Sequence, residues 1–471
     1  MSDITTIDSG FAGEGRRFHV VAEHTVSVEQ IAGRIERMPI SPWHAKARVT
    51  LGVATFFDAF DALTVAQVLP VLVPLWNIDS RQVGLLISAG YLGQLVGALF
   101  FGWLAGRIGR LRAIIGAITI FSIMSLCCAF AWSYDSLLAF RTIQGIGLGG
   151  EVPIAAVYIS EITRAHGRGK FVLLYEFIFT VGVFSCGVIG TFAMPLLGWQ
   201  FMFMLGAIPL IVAALLLRIL PESPRWLASK GRLVEADAAL KRIETSIERS
   251  SGQKLALPEI RPSVDQKKAS WSDYFGPKYL GRTLVIWTVW FCSYIVYYGI
   301  GTWMPTLYKT VFNLPVEQSL RYALITNFCG VLACLLCIFT IDKFGRRPLL
   351  IVALAGSGLS LGILYALGAS DLQKVLLVAS AGYFFATISA LGAYVYTPEL
   401  YPTRARAQGF GMAGAWLRLA SMVGPLFVGI MIKSGVEYVF LGFAAVAILG
   451  AIIVSLFAVE TAGRTLEELS P

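Results

Sequence analysis

The segment VGLLISAGYLGQLVGALFFGWLAGRIGR, residues 83–110, decides how the whole chain is read. From Val83 to Ala105 it carries no charge, a length sufficient for an α-helix to cross the roughly 30 Å hydrocarbon core of a bilayer. It then ends in a basic, glycine-centred turn, Gly102 to Arg110, the kind of sequence that short cytoplasmic loops retain. Outward from this segment the same alternation recurs. Apolar runs at 49–72, 83–105, 112–133, 136–160, 170–193 and 199–220 predict helices one to six, and runs at 283–306, 320–341, 347–367, 374–397, 405–430 and 436–459 predict helices seven to twelve. Between the two sets, Pro221 to Lys278 is too charged to enter a bilayer.

Composition points the same way. Of the 471 residues 56% are hydrophobic and 14% charged, against about a quarter charged in soluble chains, and the mean hydropathy is +0.70. The net charge of +9 is scattered through short loops, so it marks topology and not a nucleic-acid face. Arg107, Arg110 and Arg112, then Arg164, Arg168 and Lys170, then Lys343, Arg346 and Arg347, then Arg404 and Arg406 all fall on one side. Only Arg81, Lys309, Arg321, Lys374 and Lys433 are spread over the other. Both termini are therefore expected in the cytoplasm.

The expected class is an all-α membrane protein with twelve transmembrane helices in two six-helix pseudo-symmetric halves. Its divisions are a cytoplasmic N-terminal segment (1–48), the first bundle (49–220), a cytoplasmic central loop (221–282), the second bundle (283–459) and a cytoplasmic tail (460–471). The N-terminal residues lack the apolar core of a cleavable signal. Within them Val28, Ile31 and Ile35 repeat at helical spacing beside Arg34 and Arg37, which reads either as a short helix on the membrane surface or as a loose tail. Leu233 to Ile247 reads as one or two cytoplasmic helices. The seven cysteines lie in apolar runs, and Cys334-x-x-Cys337 has no second pair or neighbouring His, so neither a disulfide nor a metal is expected.

An internal repeat supports two halves: Gly102 to Arg110 after helix two matches Ile341-Asp-Lys-Phe-Gly-Arg-Arg after helix eight, and Glu161 with Arg168 matches Glu399 with Arg404. Duplicated halves with a site at their interface are expected of secondary transporters.

The chain resembles the major facilitator superfamily over essentially its whole length, within its sugar-porter-like and organic-ion branch. The likeness rests on Gly102 to Arg110, Arg141-Thr-Ile-Gln-Gly-Ile-Gly-Leu-Gly-Gly-Glu151, Pro221-Glu-Ser-Pro-Arg-Trp-Leu227 and Glu460-Thr-Ala-Gly-Arg-Thr-Leu-Glu-Glu468. Phe56-Phe-Asp-Ala-Phe-Asp61, Gly149-Gly-Glu-Val-Pro153, Tyr297-Tyr-Gly299 and Tyr396-Thr-Pro-Glu-Leu-Tyr-Pro-Thr403 make it similar, more narrowly, to bacterial niacin and aromatic-acid transporters, relatives of the synaptic vesicle glycoprotein 2 family. The resemblance implies the major facilitator fold, alternating access and no cofactor. It implies that the basic turns, with Arg107 and Arg110 in one half and Asp342 and Arg346 in the other, help latch the outward-facing state. In the first turn the family's usual acid is replaced by Gly106. It also associates Arg141 with proton coupling and extends the likeness to Glu151.

Independently of family, an ionisable side chain inside a membrane costs at least ~2.5–3.5 kcal/mol and is a functional candidate. Asp58 and Asp61 stand three apart, about 15–18 Å along helix one from its cytoplasmic end. Two such acids cannot both stay ionised cheaply, so one is expected to hold a transported proton. The alternative is that one is neutralised by an arginine or caps a helix break. Arg418 lies about 18 Å along helix eleven and needs an anion, either a substrate carboxylate or Asp58 or Asp61 across the interface. Tyr294, Tyr297 and Tyr298 on helix seven, ahead of an expected break at Gly299 and Gly301, suit a planar aromatic ring. Gln67, Gln94, Asn327, Tyr383 and Tyr394 are further contacts or simple interhelical hydrogen bonds. Glu161, Arg168, Glu399 and Arg404 sit at helix ends, where charge networks hold a gate closed.

The expected function is proton-coupled uptake of a small aromatic carboxylate such as nicotinate or benzoate, by a carrier that works as a monomer in a bacterial-type inner membrane. Sugar or organic-cation transport, efflux, and a non-transporting sensor or scaffold are the alternatives. An enzyme is disfavoured: Gly145-x-Gly-x-Gly149 lies inside a spanning helix, where it permits close packing and does not cradle phosphate.

Overall fold

The structure is a computed structural model that describes residues 27–39, 41–163, 168–256, 270–369, 371–401 and 405–461; for residues 168–176, Asp342 and Ala407 it describes the backbone alone. Helices one to six run Pro42–Trp76, Ser80–Ile108, Arg110–Ala129, Tyr134–Ile162, Arg168–Phe192 and Gln200–Ile219. Helices seven to twelve run Leu280–Thr310, Val316–Phe344, Arg346–Leu367, Leu372–Tyr396, Arg406–Met431 and Val436–Phe457. Eleven are long and apolar enough to cross a bilayer, and helix five, with a described apolar stretch at Phe177–Phe192, completes the set.

Two expectations are corrected here. Helix one starts earlier than position 49 because Pro42, at its first position, brings a pre-set φ and no N–H to satisfy. Helix seven has no break: it runs unbroken through Gly299, Gly301 and Pro305. Its glycines serve packing instead, since a Cβ on Gly299 would stand 2.2 Å from the Phe443 ring and one on Gly301 would stand 3.2 Å from Tyr383. The interruption falls in helix six, which splits into Gln200–Leu205 and Pro209–Ile219.

Close backbone approach fixes helix four against helix two. A Cβ on Gly93, Gly145 or Gly149 would lie 2.1, 2.1 or 2.0 Å from the facing carbonyl oxygen of Thr142, Gly90 or Gln94, as expected of small residues at membrane helix crossings. The same run holds Arg141 and Glu151 at the centre of the first half.

The halves meet along three pairs, helix one with seven, two with eleven and five with eight. On the side away from the chain ends, the far side, helices two and eleven are sealed. A Cβ on Gly429 would lie 2.5 Å from the Ser80 carbonyl oxygen and 3.2 Å from the Gly84 Cα. The Ser88 hydroxyl donates to the Met422 carbonyl at 2.7 Å, and Lys433 approaches Asp79 at 3.7 Å. Toward the chain ends no such crossing is described: a Cβ on Gly102, Gly106, Gly411 or Gly414 would meet nothing among the described residues within 4 Å. Gly429→Leu is thus expected to wedge the far side open. Labelling of a cysteine at position 88 from that side should rise severalfold, and unchanged labelling would show that the seam tolerates the bulk.

Each half repeats one polar module at its chain-end surface. Glu222 accepts from the Arg110 and Leu111 N–H groups at 2.9 and 3.1 Å, capping helix three, and Glu460 accepts from those of Arg346 and Arg347 at 3.0 Å, capping helix nine. Arg110 pairs with Glu161 at 2.9 Å, and Arg346 with Glu399 at 3.0 Å. The hydroxyls of Ser223 and Thr461 donate to those same glutamates. Gly109 and Gly345, both at positive φ, make room: a Cβ would strike the Glu222 or Glu460 carboxylate.

The stretch near Val28 forms a helix, Val28–Glu36, and this helix docks on protein. Ile31 and Ile35 join an apolar cluster with Trp226, Leu240 and Ile243, because a central-loop helix, Leu233–Ser251, offers a matching stripe. Arg34 pairs with Asp237 at 2.6 Å and Glu244 at 2.5 Å, and Arg37 also reaches Glu244. Burial alone would push the Glu244 carboxyl up, but hydrogen bonds from Arg34 and Arg37 outweigh it, and Glu244 and Asp237 both sit below their ordinary range. Groups depressed by folding contribute stability above their unfolded values and lose it as pH falls. Docking should therefore hold at neutral pH and weaken as pH drops below the ordinary glutamate value of 4.5. Amide exchange across residues 28–36, corrected for its intrinsic pH dependence, checks this; protection that persists at lower pH would rule out the charge clamp.

Candidate functional site

A cavity of about 60 Å³ opens between the halves on the chain-end side of the sealed seam, space on the scale of several water molecules. Asp58 and Thr55 of helix one, Gln94 of helix two and Phe179 and Thr180 of helix five form one wall. Tyr294, Tyr297 and Tyr298 of helix seven, Thr387 and Tyr394 of helix ten and Arg418 of helix eleven form the other.

The two aspartates do not share one environment. Asp58 faces the cavity, and its Oδ1 has no hydrogen-bond partner among the described residues. Asp61 turns away into the first half and is fully buried. It receives Arg141 Nη1 at 3.1 Å and the Ser125 hydroxyl at 3.2 Å, while Arg141 also donates to Gln144 at 2.7 Å. Glu151 is equally buried, and Thr55 donates to it at 3.4 Å; its second oxygen lacks a described partner. Asp58 shares the cavity lining with Arg418 and is close enough to Arg418, Asp61 and Glu151 to feel their charges.

Arg418 is half-buried in the cavity wall, and its Nη1 donates to the Gln94 side-chain oxygen across the half boundary. The described hydrogen-bond acceptor of this guanidinium is therefore a neutral amide. Around it stands an aromatic wall. Trp290 stacks on Tyr294 with centroids 5.4 Å apart, Tyr294 stacks on Tyr298 at 5.9 Å, and Tyr298 meets Tyr91 of helix two at 5.0 Å. Tyr297 stacks on Tyr383 at 5.1 Å.

The remaining predicted positions divide. Tyr394 lines the cavity, and Tyr383 lines a smaller void of about 10 Å³ behind Tyr297 and Tyr298. Gln67 and Asn327 do not line the cavity: both pack on helix five, beside Gly190 and Gly187 respectively. Arg107 is exposed over the Trp103 ring at 4.2 Å and outside the glutamate networks. The Arg168 and Asp342 side chains and the whole of Arg404 lie outside the described residues.

Residues 38–471 match the family model described as sugar (and other) transporter. The chain belongs to this family, a branch of the major facilitator superfamily. Among members of the sugar (and other) transporter family and their kin, it is 31% identical to the niacin transporter of Acinetobacter baylyi, over 93% of this chain and 99% of that one. It is 29% identical to the 4-hydroxybenzoate transporter of the same organism, over 83% and 85%. It is also 28% identical to the synaptic vesicle 2-related protein of Rattus norvegicus, over 98% and 86%. The fold matches a partially occluded inward-open xylose transporter of E. coli with a TM-score of 0.70 at 19% identity, covering 89% of this chain and 100% of that one.

As a sugar (and other) transporter family member, the chain is a multi-pass membrane transporter and not an enzyme. Thr55, Phe179, Thr180 and Thr387 at the cavity and Ser125 and Gln144 beside the Asp61–Arg141 pair belong to the site without standing out in the sequence. Thr55 was within reach, since it stands one helical turn before Asp58 and so shares its face. The others carried no signal beyond being polar or aromatic in an apolar run.

Proposed function

We propose that this transporter imports a small aromatic carboxylate, of the size of nicotinate or 4-hydroxybenzoate, together with protons. The observation that carries the reading is Arg418: a guanidinium facing the cavity, hydrogen-bonded there to a neutral amide, beside stacked tyrosines. A cation so placed seeks a planar, bidentate anion, and the ring of an aromatic acid has the tyrosine faces to stack on. Asp58 and Glu151, the latter accepting from Thr55, take the proton. The Arg141–Asp61 pair holds the first half in register behind them. The names of the niacin and 4-hydroxybenzoate transporters support an organic acid as substrate.

The carrier sits in a bacterial inner membrane with both termini in the cytoplasm, in keeping with the loop charges. The seam is then closed to the outside and the cavity faces the cytoplasm. One chain suffices, because the pathway lies between its own halves.

The test is uptake of labelled nicotinate and 4-hydroxybenzoate into proteoliposomes, with and without an inward proton gradient. Gradient-stimulated accumulation of either supports the proposal. Uptake indifferent to the gradient would replace symport by facilitated exchange, and transport of xylose with exclusion of both acids would overturn the substrate class.

A further inference from the structure

We infer that Gln94 is a substrate-displaced latch: its side-chain oxygen holds Arg418 while the far side is closed, and a carboxylate that takes Arg418 frees helices two and eleven to separate there. The inference rests on the reading of Arg418 as the carboxylate's partner.

Gln94 is on helix two, in the first half, and Arg418 is on helix eleven, in the second, so their hydrogen bond spans the boundary that must open and close. It is the innermost of the polar contacts described along this seam. Beyond it, toward the far side, come Ser88 with Met422, the Gly84–Gly429 crossing and Asp79 with Lys433. Gln94 and Arg418 are also the members of the seam that line the cavity. A ligand in the cavity therefore reaches the seal through this bond.

The chemistry gives the bond a direction of change. An amide oxygen is a neutral acceptor, whereas a carboxylate makes charge-assisted hydrogen bonds roughly twice as strong, and can accept two from one guanidinium. A carboxylate in the cavity outcompetes Gln94, and the seam loses its cavity-side rung. A ligand shifts a conformational equilibrium only by its differential affinity for the two states. A neutral analogue that stacks on the tyrosines without displacing Gln94 has none to spend on the seal. Gln94 would thus tie translocation, and not merely binding, to the negative charge of the cargo.

The latch is tested in the full-length protein in nanodiscs, by the distance between spin labels at the exposed positions 81 and 434, which leave the Asp79–Lys433 pair intact, with nicotinate and nicotinamide as probes and binding measured in parallel. In the parent protein nicotinate should raise the population of the long distance and nicotinamide should not. Gln94→Leu should show the long distance without any ligand and bind nicotinate about five- to tenfold more tightly, the size of one neutral hydrogen bond no longer competing. Gln94→Glu, which builds a permanent carboxylate into the seam, should fix the short distance and weaken nicotinate binding by at least about 100-fold. Should Gln94→Leu fail to fold, Gln94→Asn, whose amide falls one methylene short, carries the same expectation.

A distance in Gln94→Leu or Gln94→Asn indistinguishable from the parent overturns the latch whether or not nicotinate binds. If Arg418→Ala leaves nicotinate binding intact, it is the carboxylate reading of Arg418 that fails, and the ligand-free distances still judge Gln94 by itself.

Discussion

Arg418→Ala abolishes accumulation of aromatic carboxylates: the expected loss of nicotinate affinity is roughly 100-fold or more, because truncating one partner of a hydrogen-bonded charge pair in a partly dry site costs ~3 kcal/mol or above. Nicotinamide, which presents the same ring without the charge, should lose no more than about threefold through altered packing alone. The contrast between the two ligands carries the test, since a general collapse of the cavity would affect both. Collapse is not expected. The described hydrogen-bond partner of Arg418 is Gln94, and the aromatic wall is held by its own ring contacts. Arg418→Lys should recover only part of the binding, because an ammonium keeps the charge and loses the planar fork. Equal nicotinate affinity in parent and Ala variant would remove the central support for an acid substrate.

How far this site could be read from the sequence depends on what each residue reports. Hydropathy fixes how many helices cross and in what order, because the solvent acts on whole segments. It also exposes intramembrane charge, and so Asp58, Arg141, Glu151 and Arg418 stood out. It does not report direction. Asp58 and Asp61, three apart, differ by only about 60° around the helix axis, which looks like one face. Helix one, however, is packed on both sides. That modest rotation aims Asp58 at the cavity and Asp61 at helices three and four, where Ser125 and Arg141 receive it. For the same reason Gln67 and Asn327, equally polar, end beside helix five and away from the cavity.

Glycine was the other source of error. On helix seven Gly299 and Gly301 read as a break, but in a membrane a glycine is as often a seat for a neighbouring side chain, and here Phe443 and Tyr383 take those seats. A repeat was also legible and only half seen. Glu222-Ser-Pro-Arg and Glu460-Thr-Ala-Gly-Arg both place a glutamate, then a hydroxyl residue, just after a half's last helix. In the fold each glutamate caps a basic turn and each hydroxyl braces the Arg–Glu pair beside it.

The separation of the acids makes the last prediction specific. Asp58→Asn should leave binding and exchange in place while removing gradient-driven accumulation. Asn matches Asp in shape, and the Arg418 and tyrosine contacts do not pass through Asp58, so counterflow of labelled nicotinate should continue at a comparable rate. One pH unit of gradient supports about tenfold accumulation for one proton carried per substrate, since each unit is worth ~1.4 kcal/mol. In the Asn variant that ratio should fall to one. Asp61→Asn should behave differently. It strips Arg141 of its carboxylate in a fully buried position, where breaking one side of an ion pair costs about 3–5 kcal/mol, so it lowers the melting temperature before it affects coupling. If Asp58→Asn still accumulates substrate tenfold per pH unit, the proton is carried elsewhere. Glu151→Gln then becomes the decisive variant, because Glu151 is the remaining buried acid facing Asp58, with Thr55 as its described hydrogen-bond donor.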